Sequence, residues 1–282
     1  WSVTSGGHRH VLVTGASGLV GRQVVSRLLA EPGNETHVVA LDLREPPAEE
    51  RLSGAEYVTC DIRDPAIGKL MREHSIDAVV HLAAVVKPGP ESSREIEYQI
   101  DVVGTRNVVD ACQDSGVRQL VYTSSGAAYG YHADNPVPLS ESDPLRANKD
   151  FAYAWHKRLA EELPFVLIWD DDVARCIAQG VRERWTGIYN LCGDGVLTLP
   201  EIARRLERPY LSLPPWMLAG TLRVLQAARL SKRGAEQVDF LRYRPVLCND
   251  ALKKSLGFTP TYTSEACFER YRQLRAGGET CS

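Results

Sequence analysis

Five short apolar runs punctuate the first half of the chain, at residues 11–13, 37–41, 57–60, 78–82 and 120–122. Between them apolar positions recur at helical spacing, near 19–30, 66–73 and 95–114. Runs without polar alternation suit strands buried on both faces, and strand–helix alternation implies right-handed crossovers. The pattern predicts an α/β fold: a doubly wound parallel sheet of Rossmann-like type. Gly116 suits the cap of the helix before the fifth strand. Past about residue 163 the rhythm changes. Residues 170–179 read as a strand end passing into a helix, and 187–191 as a further strand. Thr198-Leu-Pro-Glu201 is a capping box with proline in the first turn. The last third is mostly helical, ending in 251–256 and 264–274.

The junction of the first strand and first helix, VLVTGASGLVG at 11–21, carries the first chemistry. Gly15 serves a tight turn, Gly18 a close approach of backbone to a pyrophosphate, and Gly21 the packing of helix on sheet. The helix N-terminus then offers unpaired N–H groups and the positive end of its dipole. Gly15, Ser17, Gly18, Leu19, Val20 and Gly21 are the expected phosphate-side contacts. Asp42, at the end of the second run, stands about 20 residues on, where a carboxylate accepts from the adenosine ribose hydroxyls and repels a 2′-phosphate. NAD is therefore favoured over NADP. Arg44 keeps NADP as the minor reading, and a solvated strand-end carboxylate is the plain alternative for Asp42. The chain divides into an expected dinucleotide-binding domain at 9–163 and a smaller, mostly helical substrate-binding region at 164–282, some of whose elements return to the sheet.

A second cluster lies further on. Tyr153 and Lys157, four residues apart on an expected helix at 151–162, project from one face. An ammonium beside a phenol stabilises the phenolate, so Tyr153 can take or give a hydroxyl proton at neutral pH while Lys157 holds the cofactor's ribose. The Y-x-x-x-K spacing is common on amphipathic helices with a surface lysine. What adds weight is Thr123-Ser124-Ser125 at the C-terminal end of the fifth run, where open α/β sheets place ligands.

Composition narrows the partners. The 282 residues are 44% hydrophobic and 24% charged with a net charge of −3, which leaves no electrostatic footprint for nucleic acid. The seven cysteines are scattered, odd in number and without C-x-x-C spacing, so we expect reduced thiols, no metal site and a cytoplasmic protein. No run approaches the roughly 20 apolar residues of a membrane span. The apolar stretch at 213–225 reads as a helix over the core or a substrate pocket.

Taken together, TGASGLVG at 14–21, Asp42, Asp61-Ile62, HLAA at 81–84, VGTRN at 103–107, YTSSGAAYG at 122–130, PLSESDP at 138–144 and YAWHK at 153–157 resemble the extended short-chain dehydrogenase/reductases, the NAD-dependent epimerase/dehydratase group. These motifs cover the first 160 residues almost continuously. The resemblance implies that Asp61 and Ile62 contact the adenine, that Leu82, Ala83 and Ala84 line the cofactor, and that Ser125 is the catalytic hydroxyl, with Ser124 as runner-up, beside Tyr153 as acid/base and Lys157 as its partner. It implies a homodimer formed through helices 95–114 and 151–162. His81 and His156 read as structural.

Two departures stand out. Asp101 occupies a position where the family carries asparagine. Between Lys157 and Tyr189 the chain is also too short for the family's further strand and substrate loop. Two accounts are open, a natural deletion or a missing segment near residues 163/164; the second is preferred, since losing a central strand would uncover its neighbours. The leading expectation is an NAD-dependent enzyme acting on a secondary alcohol or ketone, of nucleotide-sugar epimerase type. Gly126-Ala127 stands where dehydratases of the family carry Asp-Glu, which argues against dehydration. A dehydrogenase or reductase of a hydrophobic hydroxy compound is the alternative, and a non-catalytic dinucleotide sensor the second.

Overall fold

The computed structural model describes residues 9–30, 36–85, 93–132, 134–146, 164–208 and 245–276. Tyr153, Lys157, His156, the 213–225 stretch and Leu163 at the expected 163/164 junction lie outside the described residues. The described residues fall into two compact units. One holds the chain up to Thr123 together with Asp170–Thr186, the other Ser124–Trp169 with the chain from Gly187 onward.

In the first unit the five expected runs become strands: β1 (Arg9–Thr14), β2 (Thr36–Asp42), β3 (Ala55–Thr59), β4 (Ala78–His81) and β5 (Gln119–Tyr122). They form one parallel sheet in the order β3-β2-β1-β4-β5, with β1 at its centre. Val11, Leu12 and Val13 are all fully buried because both faces of β1 are covered. Val11, Val13, Val38, Ala40 and Val80 face one side, where α1 (Leu19–Leu29) and α5 (Asp170–Arg182) supply Val24, Val25, Leu28, Ile177 and Val181. Leu12, Val39, Leu41 and Val79 face the other, against Ile67 and Met71 of α2 (Ala66–Glu73) and Val108 of α4 (Thr105–Asp114). Each such side chain contributes roughly 1.5–3 kcal/mol when taken out of water.

The helix expected over 95–114 is interrupted once. α3 (Arg94–Tyr98), with Ser93 capping the Ile96 N–H, passes into a wide π turn at Gln99–Gly104 before α4 begins. Gly116, just past α4, adopts a φ of +74°, the left-handed conformation expected of a cap.

The second unit has less regular structure among its described residues. Ser125 opens a 3-10 turn at Gly126–Tyr129, and β6 (Pro164–Phe165) pairs antiparallel with β7 (Leu197–Thr198). The capping box predicted at Thr198 and Glu201 starts α6 (Leu199–Arg205), and α7 (Asp250–Leu256) and α8 (Ser264–Ala276) complete the unit. The strand expected at 187–191 is absent. Asn190 is bonded off any ladder instead: its backbone N–H donates to the Glu141 carboxylate at 2.6 Å, and its side-chain amide donates to the Leu139 carbonyl at 3.2 Å.

Candidate active site

β1 delivers Thr14 to the middle of the sheet's C-terminal edge, and Gly15 turns the chain there with a φ of +71°. A Cβ on Gly15 would sit 2.8 Å from the Ala83 backbone nitrogen, so the turn presses directly on the segment after β4. A Cβ on Gly21 would collide with the Gly15 carbonyl oxygen, so glycine is what lets α1 start against the turn. Gly18, the N-cap, is extended, and no side chain caps the helix. No acidic residue stands in the first turn. The N–H groups of Leu19, Val20 and Gly21 are therefore left without intrahelical acceptors at the positive end of the helix, an arrangement able to hold a diphosphate.

Asp42, at the end of β2, organises this loop from the side. Its Oδ2 accepts from the Ser17 N–H at 2.9 Å and its Oδ1 from the Leu43 N–H at 2.7 Å. Each carboxylate oxygen keeps a further lone pair, so ribose hydroxyls can still be accepted. The Ser17 hydroxyl donates to the Arg44 carbonyl at 3.3 Å. Asp61 follows β3, and its carboxylate is gripped by the Arg63 guanidinium, with Nη2 to Oδ2 at 2.6 Å. That hydrogen bond holds the Asp61 carboxyl below its ordinary range. Ile62 is buried against Gly104, where a Cβ would meet its side chain at 2.8 Å.

Across β1 from Asp42, β4 ends in His81, which is fully buried. Its Nδ1 lies 2.7 Å from Thr14 Oγ1 and its Nε2 3.0 Å from Thr105 Oγ1, one hydrogen bond at each nitrogen. Burial lowers its pKa to about 4, so the ring is neutral at physiological pH and serves as a strut between β1, β4 and α4. Beyond it the Leu82 N–H donates to the Thr14 carbonyl at 3.1 Å, Ala83 lies under the Gly15 turn, and Ala84 is exposed. The Val85 N–H donates to Asp101 Oδ1 at 2.8 Å. Sequence reasoning missed Thr14, Thr105 and this Val85–Asp101 bond; hydroxyls on TGASG and VGTRN were the available signal.

Ser125 is exposed, and its Oγ accepts from the Ala127 N–H at 3.2 Å, leaving its own proton free to donate. Nearby in the same unit, the buried Tyr129 hydroxyl donates to Asn190 Oδ1 at 3.0 Å. Burial raises the Tyr129 pKa, which fits a structural phenol. Among the described residues no group of three His, Cys, Asp or Glu side chains could hold a metal. The described cysteines are free thiols, and burial pushes Cys192 up to about 12. No described helix is long and apolar enough to cross a membrane.

Comparison with known proteins gives this geometry its relatives. An uncharacterised protein of Mycobacterium tuberculosis is 25% identical over 313 residues, spanning 93% of this chain and 82% of its own length. That alignment is longer than the 282-residue chain, so the relative carries residues that this chain lacks. A UDP-glucose 4-epimerase of Klebsiella pneumoniae is 36% identical across 47% of this chain and 99% of its own. A 2-alkyl-3-oxoalkanoate reductase of Stenotrophomonas maltophilia is 33% identical across 72% of this chain and 57% of its own. Among solved structures, a dTDP-glucose 4,6-dehydratase from Bacillus anthracis in complex with NAD superposes with a TM-score of 0.68 at 14% identity, covering 96% of this chain and 97% of that one. The model of the NAD dependent epimerase/dehydratase family matches residues 11–166, more than half of the sequence, and the chain belongs to that family.

Proposed function

We propose that this chain binds NAD in the Gly15–Gly21 cradle and acts on a secondary alcohol or its ketone, as a nucleotide-sugar epimerase. The observation that carries the reading is the turn itself, whose Gly15 leaves 2.8 Å between an imagined Cβ and Ala83 and whose helix opens with no acid in its first turn. A diphosphate fits there, and Asp42 stands where an adenosine ribose would reach it. NAD, when bound, accepts a hydride and returns it. Around it, Lys157 holds the ribose and keeps the Tyr153 phenol acidic, Tyr153 moves the hydroxyl proton, and the free Ser125 proton orients the substrate oxygen. Leu82, Ala83 and Ala84 shape the floor, and Asp61 and Ile62 flank the adenine. Dimerisation through 95–114 and 151–162 and a cytoplasmic setting belong to the same reading. The domain division at 163/164 belongs to it as well, together with a missing segment there.

Epimerase relatives that match about half of this chain support the sugar-nucleotide assignment. A second reading, reduction of a ketone on a hydrophobic chain, is favoured by the reductase relative, which matches more of this chain than that epimerase does. Native mass spectrometry of gently purified protein separates them. A retained dinucleotide together with a sugar nucleotide supports the first, and a dinucleotide that exchanges freely, with turnover of a 3-oxoacyl substrate, supports the second. Tyr153→Phe is expected to lower turnover about 10²–10⁴-fold while dinucleotide binding persists; full activity in that variant would remove the phenol from the chemistry.

A further inference from the structure

We propose that Asp101 sets the redox preference of the bound dinucleotide, favouring the oxidised over the reduced nicotinamide. The inference rests on the reading that the Gly15–Gly21 cradle takes a nicotinamide dinucleotide. Strand order then assigns the two halves of that ligand. Asp42 ends β2, on one side of β1, and its carboxylate reaches into the phosphate turn through Ser17, so the adenosine half lies toward β2 and β3. The nicotinamide half must extend the other way, over the segment that leaves β4.

That segment is where Asp101 arrives. Leu82 is tied to Thr14, Ala83 lies against Gly15, and two residues later the Val85 N–H donates to Asp101 Oδ1 at 2.8 Å. Asp101 sits inside the π turn Gln99–Gly104, whose far end is anchored by Thr105 on His81 at 3.0 Å and by Gly104 on Ile62. The carboxylate is thus held by Val85 at half-buried depth on an anchored turn, and among the described residues no lysine or arginine pairs with it. A pyridinium ring carries a positive charge that its dihydropyridine form lacks. A fixed carboxylate several ångströms away stabilises the charged ring and is indifferent to the neutral one. In a half-solvated site this is worth about tenfold in relative affinity. Such a bias suits an enzyme whose first act is to take a hydride from an alcohol.

The test is direct titration of the protein and its Asp101→Asn variant with NAD+, NADH and ADP-ribose, followed by calorimetry. The asparagine carbonyl can still accept from Val85, so the loop is expected to keep its shape. The expected result is a fall of about tenfold in the preference for NAD+ over NADH, with ADP-ribose binding unchanged within twofold. Asp101→Glu, which keeps the charge, should retain most of the preference. Should Asp101→Asn fold poorly, Asp101→Ser removes the same charge and carries the same expectation. An unchanged NAD+ to NADH ratio, or equal weakening of all three ligands, overturns the assignment while leaving the cradle intact. Failure of the unaltered protein to bind any of the three removes the dinucleotide reading itself, and the Asp101 assignment with it.

Discussion

The two units bury polar side chains to different ends. In the parallel-sheet unit, strands satisfy one another's backbone groups, so the buried polar residues Thr14 and His81 are spared for linking elements at the ligand edge, while the buried Asp172 pairs with Arg175 on its own helix. In the other unit, Asn190, Asn249 and Ser264 are buried because irregular backbone needs partners that no ladder supplies. The Asn249 amide donates to the Cys192 carbonyl at 2.7 Å and to Asp194 Oδ1 at 3.0 Å, and the Ser264 hydroxyl donates to the Gly195 carbonyl at 2.7 Å. A Cβ on Gly193 would strike the Leu167 carbonyl oxygen, so these loops are pressed together as tightly as strands. Both units bury apolar side chains, Phe258, Leu139 and Leu252 in the second, but there amide and hydroxyl staples also hold the irregular backbone, so each unit should break by its own route.

The largest effect is expected at the first unit's helix–turn contact. Gly21→Val drives a branched side chain into the Gly15 carbonyl and the Ala16 backbone, none of which can move without distorting β1. Overpacking usually costs about 1–3 kcal/mol, and backbone against backbone lies at or beyond the upper end. Urea denaturation should show a loss of at least about 3 kcal/mol, and an unaltered midpoint would mean that the helix can slide off the turn.

Acid should separate the units next. The folded-state pKa of His81 is lowered from 6.5 to about 4 by burial, so below pH 6.5 the unfolded chain takes up a proton that the folded one refuses. The stability this group contributes is complete above pH 6.5 and drains away as pH falls toward 4, amounting to on the order of 2–3 kcal/mol by pH 4.5. The second unit's titrating anchors behave otherwise. Lys253 and Asn249 lower the Asp194 pKa, and Thr198 lowers that of Glu201, so their contributions are complete above the ordinary carboxylate range and drain away only as pH falls from there toward the lowered values. Hydrogen exchange at pH 4.5 and 7 should find protection lost first in β1 and β4, and His81→Gln should flatten that dependence. Equal loss in both units would remove His81 as the sensitive group.

The smallest of the three effects belongs to a staple. Asn249→Ala strands the Cys192 carbonyl and removes one partner from Asp194, at a cost of about 1–3 kcal/mol. Hydrogen exchange should place the loss in 187–195 and 246–256 while the β1 and β4 amides keep their protection. Loosening of β1 instead would show that the two halves unfold as one.

This contrast also explains what could be read from the sequence. Every strand of the parallel sheet was legible because unbroken apolar runs such as Val38-Val39-Ala40-Leu41 have few other uses, and α2 was placed at its observed ends, 66–73. The glycine turn was legible because its constraints are steric and local. The strand expected at 187–191 is not there, because Asn190 bonds to Glu141 and Leu139 and not to a neighbouring strand, which nothing in GIYNL announces. Nor did anything in QIDVVG announce a π turn, whose setting lies in the contacts of Thr105 with His81 of β4 and of Asp101 with Val85 beyond it. Tyr153 and Lys157 were singled out by spacing and chemistry, and their placement rests on those grounds.

The wide turn at Gln99–Gly104 constrains chain length more than residue type. A π turn holds one residue more than the α-helical path between the same points, and each added residue rotates everything after it by about 100°. Val102 and Val103 are solvent-facing and tolerant of exchange, yet removing either would straighten the helix and swing Thr105 away from His81 or Asp101 away from Val85. Deletions of a single codon here should therefore be far more damaging than any point change at the same two valines.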